Sequence, residues 1–307
     1  MSLPGGSRLR AAARLAAYLG WTAMLLPVQM AAVATQRRRL AERLPVFYHR
    51  HCLPLLGLEV EIRGRMSEAR PTLFVCNHSS YADITVLGAL IPGSFVAKSE
   101  VADWPFFGLL AKLQRTVFVD RQSRRAAHHR DAMQQRLDAG DNLILFPEGT
   151  SNDGNRVLPF KSALFSVAER SAGGRPLTVQ PVSIAYARLD GMPVGYGLRP
   201  CFAWYGDMSL APHLLRMVGL GRVRIVVEFH PAMTLAECGS RREMARRCHA
   251  AVGAGVAAAL FGRCDPGLDS LSADISFAES AAASGDARLP GTPDCPESSL
   301  SGPTAAR

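Results

Sequence analysis

The sequence lacks the patterns that mark several common classes of protein. Its seven cysteines are an odd number and no two form a CxxC pair, which argues against a structural zinc site or a disulfide framework and favours reduced, cytosol-facing thiols. His213, His230 and His249 each lack a partner at metal-ligand spacing, so no metal ion is expected. No zinc-finger spacing or basic patch interleaved with aromatic residues is present, and nucleic acid is therefore not expected as a partner.

Long apolar runs are scarce, and the longest covers residues 15–34. This run is apolar except for Thr22 and Gln29, and it is about as long as one membrane span requires. Arginines stand on both sides of it, so the charge flanks do not set an orientation across a membrane. The run predicts either a membrane span or a helical element lying in the membrane interface, with a buried core helix as a third alternative.

Acidic residues are scarce at the start of the chain. Residues 1–50 contain eight arginines and one glutamate, whereas residues 265–307 carry a charge of −5 within a net charge of +9. A basic flank beside an apolar run favours an anionic membrane surface. Ala, Ser, Gly and Pro dominate residues 265–307, which predicts a disordered acidic tail. We further predict membrane-anchoring helices over 1–56 and a globular domain over 57–264.

Short runs rich in β-branched and aromatic residues alternate with helix-like stretches from about residue 58 onwards. Strands are predicted at 58–62, 72–76, 94–97, 116–119, 142–146, 178–184 and 223–229, and helices near 83–90, 103–113, 123–139, 160–171 and 240–261. Several of the strands are continuously apolar, as is typical of strands covered on both faces. The pattern predicts an α/β fold with a mixed, mostly parallel sheet flanked by helices and an N-terminal membrane-associated helical element.

The first candidate site lies where the predicted strand 72–76 ends. Asn77 and His78 follow this strand directly, and Asp83 stands at the start of the next predicted helix. The turn can bring the carboxylate of Asp83 back to the imidazole of His78, and such a pair fixes the tautomer of a general base. By spacing alone, the alternative is a loop histidine beside a helix-capping aspartate.

A second candidate follows the predicted strand 142–146, in the sequence FPEGT. A turn at the carboxyl end of a strand is a typical ligand position in an open α/β sheet. Glu148 can accept hydrogen bonds from a substrate that carries a hydroxyl group, or it can anchor the loop. Gly149 permits a close approach of the backbone, and the alternative for the whole block is an ordinary tight turn.

Further candidates stand at other strand ends. Arg121 can clamp a phosphate or carboxylate group, or it can pair with Asp120 at the surface. Lys98, after the strand 94–97, is a similar cation. Pro181 stands within the predicted strand 178–184, where a proline suits an edge strand or a bulge.

These blocks, in this order and spacing, resemble the glycerolipid acyltransferase family, which includes 1-acylglycerol-3-phosphate acyltransferases and bacterial lyso-ornithine lipid acyltransferases. The family's motifs look like NHx4D, a block from a lysine to an arginine, FPEGT and VxPV. Here they are Asn77-His78-x4-Asp83, Lys98 through Gly108 and Phe118 to Arg121, Phe146 to Thr150, and Val179-x-Pro181-Val182.

The resemblance implies an O-acyltransferase acting at a membrane. A fatty acyl chain would pass from an acyl thioester, on CoA or acyl carrier protein, to the sn-2 hydroxyl of 1-acylglycerol-3-phosphate, giving phosphatidic acid in phospholipid synthesis. His78 would be the general base and Asp83 would orient it, with no acyl-enzyme intermediate and no cofactor beyond the thioester co-substrate. By the same resemblance, the substrate-binding residues are Asn77, Lys98, Arg121, Glu148, Gly149, Thr150 and Pro181.

The resemblance also implies membrane lipids and a lysolipid acceptor as partners. The expected location is the cytoplasmic face of the bacterial inner membrane, with a monotopic or single-pass attachment. A catalytically inactive lipid-binding protein on the same fold is the non-enzyme alternative, and intact His78 and Asp83 argue against it.

One departure from the family pattern concerns the acceptor. The third motif often continues with an arginine thought to hold the acceptor's phosphate, and Ser151 stands in its place. Either another cation replaces it, or the acceptor is one without a phosphate, such as lyso-ornithine lipid. The sequence over 203–208 also looks like bacterial members of this second kind.

Overall fold

The computed structural model describes residues 6–119, 126–172 and 174–261. Arg121 and the predicted acidic tail 265–307 lie outside the described residues.

Helices and strands alternate along the described chain, as predicted. The strands are β1 (Leu58–Gly64), β2 (Thr72–Cys76), β3 (Ser94–Lys98), β4 (Val117–Val119), β5 (Leu143–Leu145), β6 (Ser171–Ala172), β7 (Arg175–Pro176), β8 (Thr178–Leu189), β9 (Met192–Pro193) and β10 (Val223–Phe229). The helices are α1 (Arg8–Ala34), α2 (Arg38–Leu56), α3 (Ala82–Leu90), α4 (Phe107–Leu113), α5 (Ala126–Asp138), α6 (Leu210–Gly219), α7 (Leu235–Cys238) and α8 (Arg241–Phe261).

The main sheet has eight strands in the order β1-β10-β8-β2-β5-β3-β4, with β9 paired to β8. Strands β8, β2, β5, β3 and β4 are parallel, whereas β10 runs antiparallel to β8 and parallel to β1. The prediction of a mixed, mostly parallel sheet is therefore confirmed. Since parallel strands end at the same edge of a sheet, the turns after β2, β3 and β5 share one edge.

Both faces of the sheet are covered by helices, which explains the continuously apolar strands. In β2, Phe74 and Cys76 pack on the face that carries α1, α2, α3 and α6. Leu73 and Val75 point the other way, towards α5 and α8. Alternation along the strand thus supplies both cores, and all five residues of β2 are buried.

Three local predictions differ from the structure. The stretch predicted as a helix near 160–171 is a 3₁₀ helix, Ser162–Glu169, and helix α6 was not predicted. The helix predicted at 103–113 begins only at Phe107, after a 3₁₀ helix, Ser99–Asp103.

Of the two positions predicted for Pro181, the edge strand is wrong, because β8 lies inside the sheet between β10 and β2. The bulge is confirmed, because the pairing beyond Val182–Phe229 resumes at Val179–Met233, one residue out of register. Pro181 stands one residue beyond the β10 ladder, which ends at the pair Val182–Phe229. The Pro181 carbonyl accepts from the His230 amide at 3.0 Å. The His230 carbonyl accepts from the Gln180 side chain at 2.9 Å. Gln180 therefore supplies the donor that the proline ring lacks.

The two N-terminal helices are fastened to the rest of the molecule by polar side chains. Arg14 Nη1 on α1 donates to the carbonyls of Val218 and Leu220 at 2.9 and 2.8 Å, at the carboxyl end of α6. These carbonyls have no partner within the helix, so the arginine caps α6. Near the other end of α1, the buried Gln29 amide donates to the Leu113 carbonyl at 2.7 Å, where α4 ends.

Gln29 also compensates for a proline. Its amide donates to the Ala41 carbonyl at 3.1 Å, the group that residue 45 of α2 would normally bond. Residue 45 is a proline and has no N–H to give. Polar residues inside the long apolar run thus bind α1 to α2 and α4.

We expect Arg14→Met to lower the free energy of unfolding by about 2 kcal/mol, because it leaves several carbonyls at the end of α6 without a donor. The measurement is urea unfolding in a mild detergent, followed by circular dichroism. Arg10→Met is the matched control, since Arg10 lies one turn earlier on α1 and is exposed. Equal stability of both variants would contradict the capping role.

Candidate active site

The first sequence candidate, His78 with Asp83, forms a direct hydrogen-bonded pair. His78 Nδ1 lies 2.9 Å from Asp83 Oδ2. The imidazole is 22% exposed, whereas the carboxylate is fully buried. Because Asp83 accepts from Nδ1–H, the Nε2 atom is left unprotonated and can take a proton from a substrate.

Asp83 is held by three further donors. The amides of Ser79 and Ser80 donate to Oδ2 at 2.8 and 2.9 Å, at the start of α3. The hydroxyl of Tyr186 donates to Oδ1 at 2.8 Å from the middle of β8. A buried carboxylate needs such donors to remain charged, and here they also fix its orientation towards His78.

An aromatic face supports the histidine ring. The imidazole of His78 stacks on Phe146, with ring centroids 4.1 Å apart and an interplanar angle of 21°. Phe146 in turn stacks on Phe95 of β3, with centroids 6.2 Å apart. Stacking and the Asp83 bond together fix the orientation of the ring.

Glu148 of the FPEGT turn accepts hydrogen bonds from the His78 backbone and from the loop that follows the turn. Its Oε1 accepts from the His78 amide at 2.9 Å, and its Oε2 accepts from the Asn152 side chain at 2.6 Å and the Leu158 amide at 3.1 Å. Burial raises the pKa of Glu148 to about 7, against the three hydrogen bonds, which lower it. Of the two roles considered from the sequence, the structure places Glu148 in the anchoring contacts.

Asn77 joins the turn that carries His78 to the neighbouring strand. Its side-chain amide donates to the Ile184 carbonyl and accepts from the Ile184 amide, both at 2.9 Å. Asn77 is 5% exposed, so its polar atoms serve β8 in this structure. Pro181 is also buried, in the sheet beside Val75.

The remaining sequence candidates lie at the same edge or outside the described chain. Lys98 is half-buried at the end of β3. Gly149 has a φ of +70°, and its amide donates to the Phe146 carbonyl at 3.0 Å, which closes the turn after β5. Thr150 is exposed, and Arg121 follows β4 but lies outside the residues described.

A largely apolar cavity of about 230 Å³ opens beside the turn between β2 and α3. Tyr81 and Ala82, which precede Asp83, form part of its wall. The rest comes mainly from α1, α2, α4 and α6, including Leu25, Leu110 and Leu214. Such a cavity suits a hydrocarbon chain, and Tyr81 and Ala82 place part of its wall within three or four residues of His78.

Comparison with known proteins decides the family. A model of the family described as Acyltransferase matches residues 57–185. A lyso-ornithine lipid O-acyltransferase from Brucella abortus is 46% identical over 226 residues, which cover 72% of this chain and 84% of that protein. The chain belongs to this acyltransferase family. It is an O-acyltransferase, and the non-enzyme alternative is set aside.

Two further similarities agree with this assignment. A 1-acyl-sn-glycerol-3-phosphate acyltransferase from Neisseria gonorrhoeae is 35% identical over 189 residues, which cover 61% of this acyltransferase and 69% of that protein. The crystal structure of a 1-acyl-sn-glycerophosphate acyltransferase from Thermotoga maritima has a TM-score of 0.56 and 20% identity, and the match covers 83% of this chain and 99% of that one. The second similarity shows that the fold is shared.

Sequence reasoning missed Tyr186, which reaches Asp83 from 103 residues away. A tyrosine close to a predicted buried strand does indicate a hydrogen bond, since a buried hydroxyl needs a partner. The identity of that partner depends on the pairing of β8 with β2, which motif spacing alone does not reveal.

A second histidine group in the acyltransferase resembles a catalytic triad but is sealed. His230 Nε2 lies 3.1 Å from Ser183 Oγ, and its Nδ1 lies 3.8 Å from Glu228. A Cβ atom added at Gly255 of α8 would clash with Ser183 Oγ and would lie 2.6 Å from the His230 ring. Because the helix backbone covers both side chains, this group packs α8 on the sheet.

We expect Tyr186→Phe to lower kcat about tenfold with little change in KM, because Asp83 loses the donor that fixes Oδ1 and the histidine is held less firmly. Steady-state acyl transfer in detergent micelles measures both constants. Tyr196→Phe serves as the control, since Tyr196 is 72% exposed. Full turnover in Tyr186→Phe would show that the Oδ1 bond is dispensable.

Proposed function

We propose that this acyltransferase transfers a fatty acyl chain from an acyl thioester to the hydroxyl group of lyso-ornithine lipid. The observation that carries the proposal is the 46% identity with the Brucella abortus lyso-ornithine lipid O-acyltransferase, against 35% with the Neisseria gonorrhoeae lysophosphatidate enzyme. This acceptor was the alternative in the sequence analysis, and lysophosphatidate is now the second candidate.

The FPEGT loop supports the same choice. Ser151 stands where many family members have an arginine, and it is half-buried and uncharged. A phosphate carries up to two negative charges and is best matched by a cation. The ornithine head group instead carries a carboxylate and an ammonium group, so the loss of one cation at this position suits it.

His78 is proposed to act as the general base. Its Nε2 takes the proton of the acceptor hydroxyl while the oxygen attacks the thioester carbonyl. The new C–O bond forms, the C–S bond breaks, and the proton passes from His78 to the leaving thiolate. Asp83 holds the ring in the required tautomer throughout, and positioned proton transfer of this kind contributes roughly 10²- to 10⁴-fold.

The thioester is proposed as a co-substrate carried by CoA or acyl carrier protein, with no other cofactor. Lys98 and Arg121 are proposed to serve the substrates as cations. An acyl chain is proposed to occupy the cavity beside Tyr81, because the side chains that line this cavity are mostly apolar.

Membrane attachment is proposed through α1 and α2 on the cytoplasmic face of a bacterial inner membrane. Within the described chain, α1 is the one helix long and apolar enough to cross a membrane, and 17% of its most apolar window is buried. Its two ends are bonded to α6 and α4 through Arg14 and Gln29. A helix fastened at both ends to one body favours an interfacial, monotopic position over a span.

We expect His78→Ala to abolish acyl transfer, with a loss of at least a thousandfold, while flotation with liposomes stays unchanged. Ser79→Ala is the matched control, because a serine nucleophile is not part of the proposed reaction. Radiolabelled acyl-CoA and acyl carrier protein donors measure the transfer. Substantial activity in His78→Ala, or its loss in Ser79→Ala with the fold intact, would contradict the mechanism.

We expect the wild-type protein to acylate lyso-ornithine lipid with a kcat/KM at least tenfold above that for lysophosphatidate. Both acceptors are compared in the same detergent with each donor, and products are separated by thin-layer chromatography. A higher kcat/KM for lysophosphatidate would overturn the proposal and favour lysophosphatidate as the acceptor.

A further inference from the structure

One arginine outside the four motifs reaches the loop that follows FPEGT. Arg199 lies in a 3₁₀ helix, Tyr196–Cys201, between β9 and α6. Its Nη1 donates to Asn155 Oδ1 at 2.7 Å. Asn155 is itself fixed, because its backbone and side-chain N–H groups donate to Asp153 at 3.0 and 3.1 Å. Asp153 thus orients Asn155, and Asn155 orients the guanidinium.

The other edge of this guanidinium has no partner among the described residues. Arg199 Nε is buried and makes no hydrogen bond. Nη2 projects on the same side as Nε, away from the Asn155 contact, and the two N–H groups form the parallel fork that matches a carboxylate. Burial lowers the pKa of Arg199, whereas the negative charge of nearby Asp153 raises it.

The backbone that carries Arg199 lies against the turn that carries His78. Arg199 and Ser79 both line a small recess with Gly154. A Cβ atom placed on Gly154 would lie 3.8 Å from Ser79 Cβ and 4.0 Å from Arg199 Cβ. Ser79 and Arg199 therefore both pack against the loop after FPEGT at Gly154. Two backbone hydrogen bonds fix this arrangement, from Asn152 to the His78 carbonyl at 3.2 Å and from Trp204 to the Ser79 carbonyl at 2.8 Å.

We propose that Arg199 binds the carboxylate of the acceptor's ornithine head group through its Nε and Nη2 atoms, and so selects the acceptor. The inference rests on the proposed function. A planar carboxylate satisfies both N–H groups at once, including the buried Nε that is otherwise left without an acceptor. Exposed Arg156, on the rim of the same recess, adds positive charge.

The position of the fork also accounts for Ser151. With the anionic group of the acceptor held by Arg199 on one side of the loop, a second cation directly after FPEGT is unnecessary. The specificity element then lies 48 residues beyond Ser151 in the sequence, in a segment that belongs to none of the four motifs.

The test compares lyso-ornithine lipid with its carboxyl methyl ester, which keeps the ammonium group and the acyl chain but has no negative charge. We expect the wild-type kcat/KM to fall between tenfold and a hundredfold on esterification. Arg199→Gln is expected to use the free acid as poorly as the ester, with the loss mainly in KM. Arg199→Lys, which keeps the charge without the fork, is expected to fall between the two.

Arg188→Gln is the matched control, because Arg188 is an exposed arginine whose side chain donates to the Gly191 carbonyl. It should keep the wild-type preference for the free acid. A wild-type preference of less than twofold, or a wild-type preference retained in Arg199→Gln, would overturn the inference. If Arg199→Gln does not fold, the wild-type and Arg199→Lys comparisons decide it. Failure of the proposed function looks different, since the wild-type protein would then prefer lysophosphatidate to lyso-ornithine lipid.

Discussion

The hydrogen bond between His78 and the buried carboxylate of Asp83 is the constraint on which the rest of the site depends. A charge that is fully removed from water must find its solvation within the protein. Asp83 finds it in the ring of His78, two backbone amides and Tyr186. The first three donors come from the turn 78–80 before α3, whereas Tyr186 comes from β8. The turn and the sheet must therefore both be in place before the histidine is oriented.

The parallel arrangement of the central strands explains why two distant motifs act together. The turns after β2 and β5 leave the same edge of the sheet, which lets Glu148 accept from the His78 amide. The two carboxylates therefore have different tasks. Asp83 fixes the ring of the histidine, whereas Glu148 fixes the backbone that carries it and the loop that leads to Asn155.

Much of the fold and part of the site could be predicted from the sequence. Continuous apolar runs identified β2 and β5 because both faces of those strands are covered, and the NHx4D spacing identified His78 with Asp83 because five residues suffice for the turn. Tyr186, Gln29 and Arg199 could not be found in this way. Each acts through a hydrogen bond to a residue far away in the sequence, and such contacts follow from strand order and helix packing. Whether the substrate-binding assignments of Lys98, Arg121 and Thr150 are right stays a prediction.

The cavity beside Tyr81 has a consequence for how a lipid would travel. Its wall is built partly from α1 and α2, the same helices proposed to rest in the membrane. Exposing a hydrocarbon chain to water costs about 0.8 kcal/mol for each methylene, or roughly 10 kcal/mol for a dozen of them. A chain that slides sideways from the bilayer between these helices would stay in an oily medium from start to finish. The enzyme would then need no carrier to extract its acceptor, and its product would return to the leaflet by the same route.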